Sequence, residues 1–184
     1  MTDVAPALER ISPHFLASAR KVGGSLFRIQ RDTRFAKDKS PYKTHTGIQF
    51  RHLEGKDAHA PCFYLHLAPG DVFVGAGIWH PDTATARTIR EAIVDDPRGW
   101  QRATRGKAFS KRFELRGDAL QRAPKGIDPD HPLIEDLKRK DFIAVAKLTQ
   151  KDATAAGFLE TFTATCKAGG PLVRFLCEAL ELDY

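Results

Sequence analysis

Residues 62–79 read CFYLHLAPGDVFVGAGIW, and this stretch decides the fold. Its first part, CFYLHL at 62–67, is apolar on both faces, as a strand with little solvent on either side would be. Residues 68–71 (APGD) then place Pro and Gly at the two central positions of a type II turn. A second strand follows over 71–79. Because a connection this short joins only antiparallel strands, the stretch predicts a β-hairpin.

The pattern extends upstream of this hairpin. Residues 45–53 alternate apolar and polar side chains with the period of a half-buried strand, which predicts a three-stranded antiparallel meander over 45–79. Residues 25–31 alternate in the same way and predict a further strand. Residues 5–20 carry apolar side chains at helical spacing and predict a helix.

Helices dominate the sequence after the meander. Asp82 or Thr83 is a suitable cap for one helix, and Asp96 followed by Pro97 marks the start of the next. The remaining predicted elements are a short helix from Asp130 through Lys140, a strand over 142–148, and a terminal helix that begins near Phe158, stops at Gly169-Gly170 and restarts at Pro171.

Strands come first, helices follow, and one strand lies late, which is the order of an α+β fold. We predict an antiparallel sheet of about five strands with helices packed mainly on one face. The 184 residues suffice for one sizeable core, so we predict a single domain over 1–184.

Composition and cysteines bear on the location of the protein. Apolar residues make up 42% of the chain and charged residues 28%, which is typical of a globular protein without membrane spans. The N-terminus does not read as a secretory signal. Cys62, Cys166 and Cys177 have no C-x-x-C spacing and leave an odd thiol. We therefore predict a reduced, cytoplasmic protein with no membrane partner, and Cys166 and Cys177 as core thiols. The sequence carries no signal for an oligomeric state.

The net charge of +6 is distributed unevenly. Residues 27–52 hold seven Lys or Arg against two Asp, and residues 98–125 hold nine against two acids. The rest of the chain is net acidic. Two basic blocks in such a chain indicate an anionic partner, either a small molecule or a nucleic acid. The alternative is two solvated surfaces with no partner.

The first basic block contains a dense motif, FRIQRDTRFAKDKSPYK over 27–43. Arginine recognises carboxylate and phosphate through paired hydrogen bonds, and Asp32 and Asp38 stand among the cations. The motif predicts either a preorganised pocket for phosphate or carboxylate, or an ion-pair network that pins a loop to the sheet. The candidate binding residues are Arg28, Arg31, Asp32, Arg34, Lys39, Tyr42 and Lys43.

At these residues the chain resembles a known family. The patterns Arg28-x-x-Arg31-Asp32-x-Arg34-Phe35 and Asp38-Lys39-x-Pro41-Tyr42-Lys43 look like the signature of the bacterial domain-of-unknown-function family 2461. The likeness runs from about residue 20 onward, through FYLHL at 63–67, GxGxWHP at 75–81 and DPDHPL at 128–133. Members of that family usually carry an N-terminal helical segment rich in Asn, Arg and Trp-Phe, and we expect this chain to lack it. The resemblance implies an identity and no reaction.

Two histidines are the candidates for catalysis. His66 lies in a predicted strand and His80 follows the end of another, so either imidazole would suit a general base if the anion pocket adjoins it. No two histidines have HxH or HxxxH spacing, and the chain has no P-loop, dinucleotide fingerprint or G-x-S-x-G elbow. We predict no metal site and no cofactor.

Three functions remain open on this basis. The first is a binding module for a small anion, and the second is a nucleic-acid-binding protein that uses the basic blocks 27–52 and 98–125. The third is a hydrolase that acts on a phosphate ester with a histidine base.

Overall fold

A computed structural model describes residues 1–35, 37–55 and 60–184 of the chain. The strands in these ranges are β1 (Thr46–Arg51), β2 (Cys62–Ala68), β3 (Asp71–Ile78), β4 (Glu114–Arg116) and β5 (Phe142–Leu148). They form one sheet in the order β1-β2-β3-β5-β4, and every neighbouring pair is antiparallel.

Helices pack against this sheet. The helices are α1 (Val4–Glu9), α2 (Thr83–Asp95), α3 (Pro97–Arg105), α4 (Lys107–Ser110), α5 (Ile134–Leu137), α6 (Gln150–Thr154) and α7 (Phe158–Ala179). The long helix α7 lies against β3 and β2, and α3 packs on α7. The predicted α+β class with an antiparallel sheet is confirmed. Among the described residues, no helix has both the length and the apolar character needed to cross a membrane.

Alternation along the strands places the core on the face of the sheet that α7 covers. Phe63 and Leu65 of β2 and Val74 of β3 are buried in the core cluster that includes α7. Tyr64 and His66 are the intervening residues of β2, so their side chains leave from the opposite side, called here the open face of the sheet.

Three local predictions are confirmed in detail. Ala68 pairs with Asp71 across the hairpin turn, and Gly70 has a φ of 76°, the left-handed value that favours glycine at this turn position. The side chain of Asp82 accepts a hydrogen bond from the Thr85 backbone N–H (2.7 Å) at the start of α2. Asp96 does the same for Gly99 (2.8 Å), and Pro97 is the first residue of α3.

The N-terminal segment differs from its prediction. Helix α1 ends at Glu9 rather than near residue 20, because Pro13 cannot donate a helical hydrogen bond and disfavours helical backbone at the residue before it. The predicted strand over 25–31 is replaced by isolated bridges, one of which joins Leu26 to Ile48. This segment lies along the outer edge of β1 without forming a continuous ladder.

The C-terminal helix also differs from its prediction. Helix α7 continues through Gly169, Gly170 and Pro171, where the sequence predicted a stop and a restart. Both glycines are buried, whereas Pro171 is exposed. A Cβ on Gly169 would lie 3.0 Å from the Ala76 side chain of β3. Close packing against the sheet therefore holds the helix together despite its weak local propensity.

Two further differences are smaller. The helix predicted from Asp130 through Lys140 is the single turn α5, and the sequence did not predict the short edge strand β4. The predicted meander over 45–79 is present as β1, β2 and β3, although residues 56–59 of its first connection lie outside the described residues.

Candidate anion-binding site

The sequence motif forms a short hairpin that extends from the edge of the sheet. The Arg31 backbone N–H donates to the Pro41 carbonyl (2.9 Å), and the Lys43 N–H donates to the Ile29 carbonyl (2.8 Å). Gln30 and Tyr42 therefore face each other as a bridge. Residues 32–35 and 37–40 belong to the loop between these two strands of backbone, and residues 28–43 are called here the basic hairpin.

Asp38 organises one side of the loop. Its carboxylate accepts hydrogen bonds from the Ser40 backbone N–H (2.9 Å) and the Ser40 hydroxyl (2.9 Å), and it forms an ion pair with Arg31. These contacts, those of Ser40 first and that of Arg31 next, lower the pKa of Asp38 to about 2. Arg31 also donates to the Ser40 hydroxyl (2.7 Å), so the three side chains fix one another.

Asp32 organises the other side of the loop. Arg34 donates to its carboxylate from Nε (2.9 Å) and from Nη2 (2.6 Å), which is the two-bond geometry characteristic of arginine and carboxylate. This side-chain contact is the main reason that the pKa of Asp32 lies below its ordinary value. Lys39 donates to the Thr33 carbonyl (2.9 Å), which closes the loop further.

Both Asp–Arg pairs lie at the surface. The Arg34 side chain is 77% exposed and that of Asp38 is 63% exposed. Exposed ion pairs contribute little to stability, so this network orders a loop rather than anchoring the fold. Phe35 and Tyr42 of the same hairpin are exposed as well, at 95% and 59%.

The base of the hairpin joins the open face of the sheet. The Lys43 ammonium group lies 5.5 Å from the ring centroid of Phe27, and the Phe27 ring lies 6.1 Å from that of Tyr64. The Tyr64 hydroxyl is 3.4 Å from Nδ1 of His66, and His45 stacks on His66 at 4.7 Å. The rings of Tyr64 and Phe27 therefore connect His66 to Lys43 at the base of the hairpin.

His66 is kept mainly neutral by its surroundings. Its ring also stacks on Phe73 at 4.6 Å. Burial lowers the pKa of His66 below its ordinary value, repulsion from His45 adds to the shift, and Asp71 at 3.8 Å partly opposes it. The imidazole is therefore a hydrogen-bonding group rather than a fixed cation at neutral pH.

His80 lies elsewhere on the molecule. It follows the far end of β3, whereas His66 pairs with Phe73 near the start of that strand. A strand rises about 3.3 Å per residue, so roughly 20 Å separates the two imidazoles along the sheet. The structure does not bring His80 to the basic hairpin.

The partner of His80 is Asp141, which sequence reasoning did not identify. The Asp141 carboxylate lies 2.8 Å from Nδ1 of His80 and accepts the backbone N–H groups of His80 (2.8 Å) and Asp118 (2.8 Å). Its side chain is 2% exposed, whereas that of His80 is 55% exposed. Burial tends to raise the pKa of Asp141, but these hydrogen bonds outweigh it and hold that pKa below its ordinary value. No local signal in the sequence connects the two residues, because 61 positions separate them.

The second basic block is distributed differently. It contributes α3 on the helical side and β4 at the edge of the sheet opposite β1. Arg102 lies 3.6 Å from Asp96, and Arg105 lies 3.1 Å from Asp136. The second basic block is therefore divided between α3 and the β4 edge, whereas the first lies at the β1 edge.

Two of the cysteines, Cys166 and Cys177, lie in the interior as predicted. Cys166 and Cys177 are buried in the core, where burial raises the pKa of each, that of Cys177 to about 12. Desolvation also raises the pKa of Cys62, to about 11. Within the described ranges, His, Cys, Asp and Glu form no group of three that could hold a metal ion.

The chain was compared with curated proteins, solved structures and family models. No curated protein and no solved structure matched the chain. The family model described as "Conserved hypothetical protein (DUF2461)" matches residues 1–175 of the 184. The chain belongs to the DUF2461 family of conserved hypothetical proteins.

Proposed function

We propose that the basic hairpin binds a small molecule that carries a phosphate or carboxylate group. The observation that carries this proposal is the pairing of each aspartate with one arginine inside the loop. Asp32 holds Arg34 and Asp38 holds Arg31, so both guanidinium groups are fixed before a ligand arrives. Preorganised donors lose less conformational entropy when they bind.

Donors remain free for a ligand after this pairing. A guanidinium group has five N–H donors, and Arg34 uses only Nε and one Nη2 proton on the carboxylate. Arg28, Arg31, Arg34, Lys39 and Lys43 exceed the two aspartates in charge, which favours an anion over a cation. Tyr42 adds an exposed phenol to the same hairpin.

The neighbouring open face would supply the rest of the site. Lys43 lies over the Phe27 ring, the Phe27 ring contacts that of Tyr64, and the Tyr64 hydroxyl faces the neutral imidazole of His66. Groups of this kind orient a phosphate ester or carboxylate without adding charge. A nucleotide would also find aromatic rings to stack on.

The test is a titration of the protein with inorganic phosphate and with adenosine 5′-monophosphate, followed by amide NMR. We expect saturable shifts in the hairpin amides from Lys37 to Ser40. The variant Arg28→Gln with Lys43→Gln should weaken binding at least about tenfold, which is about 1.4 kcal/mol. The matched control, Arg20→Gln with Lys21→Gln, removes the same charge from exposed residues outside the hairpin. Equal affinity in the two double variants would contradict the proposal.

A second candidate function, hydrolysis of a phosphate ester, is favoured by the His80–Asp141 pair. Asp141 holds Nδ1, so Nε2 of an exposed imidazole is left as a proton acceptor. His80 also has a φ of 50°, an unusual conformation for a residue with a side chain, and such strain gathers at functional sites. Trp79 stacks on the same ring at 4.2 Å.

A phosphatase and phosphodiesterase screen, with and without divalent metals, tests this candidate. Activity that is lost in His80→Ala and kept in His66→Ala supports His80 as the base. The opposite pattern would assign the base to His66, beside the hairpin. Activity that survives in the double variant would eliminate both His66 and His80 as the base. A screen with no activity at all would favour the binding module.

A further inference from the structure

A cleft on the helical side of the molecule is not used by the proposed function. It has a volume of about 590 Å³, which is within the range of small-molecule sites. The C-terminal end of α1, the first turns of α3 and the second half of α7 line it. Four cations surround the cleft, and they come from three separate segments of the chain: Arg10, Arg102, Lys167 and Arg174.

Small residues make room for the cleft. Gly99 and Ala103 of α3 and Gly170 of α7 lie in its lining and are buried. A Cβ on Gly170 would lie 2.6 Å from the Tyr184 hydroxyl, so the tyrosine ring packs directly on the helix backbone. The floor of the cleft therefore combines small residues with the Phe175 and Tyr184 rings, and long basic side chains surround it.

The positive charges around the cleft are only partly balanced by acidic side chains. Arg102 has a loose ion pair with Asp96 at 3.6 Å, and Arg174 lies over the Tyr184 ring, 4.7 Å from its centroid. Arg10 and Lys167 form no ion pair with any other residue that the structure describes. Against these four cations the lining has two acids, Asp96 and Glu178.

The surface next to this cleft has the opposite charge. A second cleft of about 440 Å³ shares Asp96, Phe175 and Glu178 with the first. Its lining adds the acids Glu91, Asp95 and Glu181 and no Lys or Arg. An anionic polymer that crossed the first cleft in this direction would meet five carboxylates, and like charges repel it. The basic cleft therefore suits a compact anion.

We propose that the cleft between α1, α3 and α7 binds a small molecule with two or more carboxylate or phosphate groups. Three arginines and a lysine from three segments can contact separate anionic groups, and each arginine can bind one through paired hydrogen bonds. We expect a small molecule rather than an anionic polymer, because the adjoining acidic cleft would repel a polymer. This site is independent of the basic hairpin, which lies at the β1 edge of the sheet.

Amide NMR titrations with citrate and with inorganic pyrophosphate, at constant ionic strength and pH, test the proposal. The Gly99 and Gly170 amides report on the cleft floor, and the amides from Lys37 to Ser40 report separately on the hairpin. We expect saturable shifts at Gly99 and Gly170 with at least one of the two anions, at a Kd below about 1 mM. Citrate alone would assign the site to carboxylates and pyrophosphate alone to phosphates, and both outcomes support it.

Matched variants make the result specific. Arg10→Gln with Lys167→Gln removes two rim cations that hold no ion pair, and it should weaken binding at least about tenfold. Arg122→Gln with Lys125→Gln removes the same charge from exposed residues outside the lining, and it should leave the affinity unchanged within about twofold. Shifts that do not saturate, or an equal loss in both variants, would overturn the proposal. Shifts of Gly99 and Gly170 with a single-stranded oligonucleotide would overturn its restriction to small anions.

Discussion

At the residue scale, two aspartates show how burial decides the role of a carboxylate. Asp141 is almost inaccessible and ties the end of β3 to the turn at Asp118, so its loss would leave backbone N–H groups without an acceptor. Asp38 has comparable partners but lies in solvent, where water can replace them. Asp141 therefore stabilises the fold, whereas Asp38 orders only the basic hairpin.

His66 leads to the prediction at this scale, which concerns pH. The pKa of His66 in the folded protein is lowered, mainly by burial, whereas the unfolded chain binds this proton at the ordinary pKa of about 6.5. The unfolded state therefore gains protons first as the pH falls. The contribution of His66 to stability is unchanged above about pH 6.5, falls below it, and is fully lost below the folded pKa.

The measurement compares urea unfolding of the wild type and His66→Phe from about pH 7.5 to about pH 5. Phenylalanine keeps the stacking on Phe73 and His45 and removes the titration. We expect the wild type to lose stability relative to the variant as the pH falls through this range. Parallel stability curves would show that His66 titrates alike in both states.

At the scale of elements, the contact between α7 and β3 positions the helical layer. Gly169 of α7 lies against Ala76 of β3 and also against Phe113, and a Cβ there would lie 3.0 Å from both side chains. Helix and sheet approach this closely only because the position has no side chain. The same approach explains why α7 does not break at Gly169-Gly170, where local propensity predicts a break.

We predict that Gly169→Leu destabilises the protein by about 1–3 kcal/mol, because the added side chain has no space between helix and sheet. The matched control is Ala164→Leu on an exposed position of the same helix, which should change the free energy of unfolding by less than about 0.5 kcal/mol. Thermal and urea unfolding give both values. A Gly169→Leu protein as stable as the control would mean that α7 can shift away from the sheet without cost.

At the scale of the whole molecule, the two basic blocks lie apart. Block 27–52 occupies the β1 edge and the basic hairpin, whereas block 98–125 is divided between the helical side and the β4 edge. In the second block, Arg102 and Arg105 form ion pairs with Asp96 and Asp136. We therefore expect a nucleic acid bound at the basic hairpin to contact the first block and not the second.

This arrangement predicts the salt dependence of any binding to a single-stranded oligonucleotide. Each phosphate contact contributes about 0.7 to the slope of log K against log salt, so Arg28→Gln with Lys43→Gln should reduce the slope by about 1.4. Arg98→Gln with Lys125→Gln should leave it unchanged. Fluorescence anisotropy at several salt concentrations measures the slopes. A clear reduction in the second variant would mean that one polymer contacts both blocks.

The structural features that depend on residues close together in the sequence could be predicted from the sequence. The turn at Ala68–Asp71 and the caps Asp82 and Asp96 are signals within a few positions, and each is confirmed. The alternation at 45–53, the apolar run at 62–67 and the strand pattern at 142–148 are equally local, and β1, β2 and β5 are present at these positions. The Arg, Asp and Lys motif also located a self-contained structure, because its ion pairs join residues no more than seven positions apart.

The tertiary structure alone decided the features that join distant residues. Asp141 reaches His80 across 61 positions, α7 remains one helix because β3 packs on Gly169, and the basic cleft combines cations from three segments. Local sequence determines which backbone conformations have low free energy, but the burial of apolar surface selects which segments pack together. The sequence by itself therefore determined the fold class and the basic hairpin. Long-range packing brought Asp141 to His80 and created the cleft, which no short motif encodes.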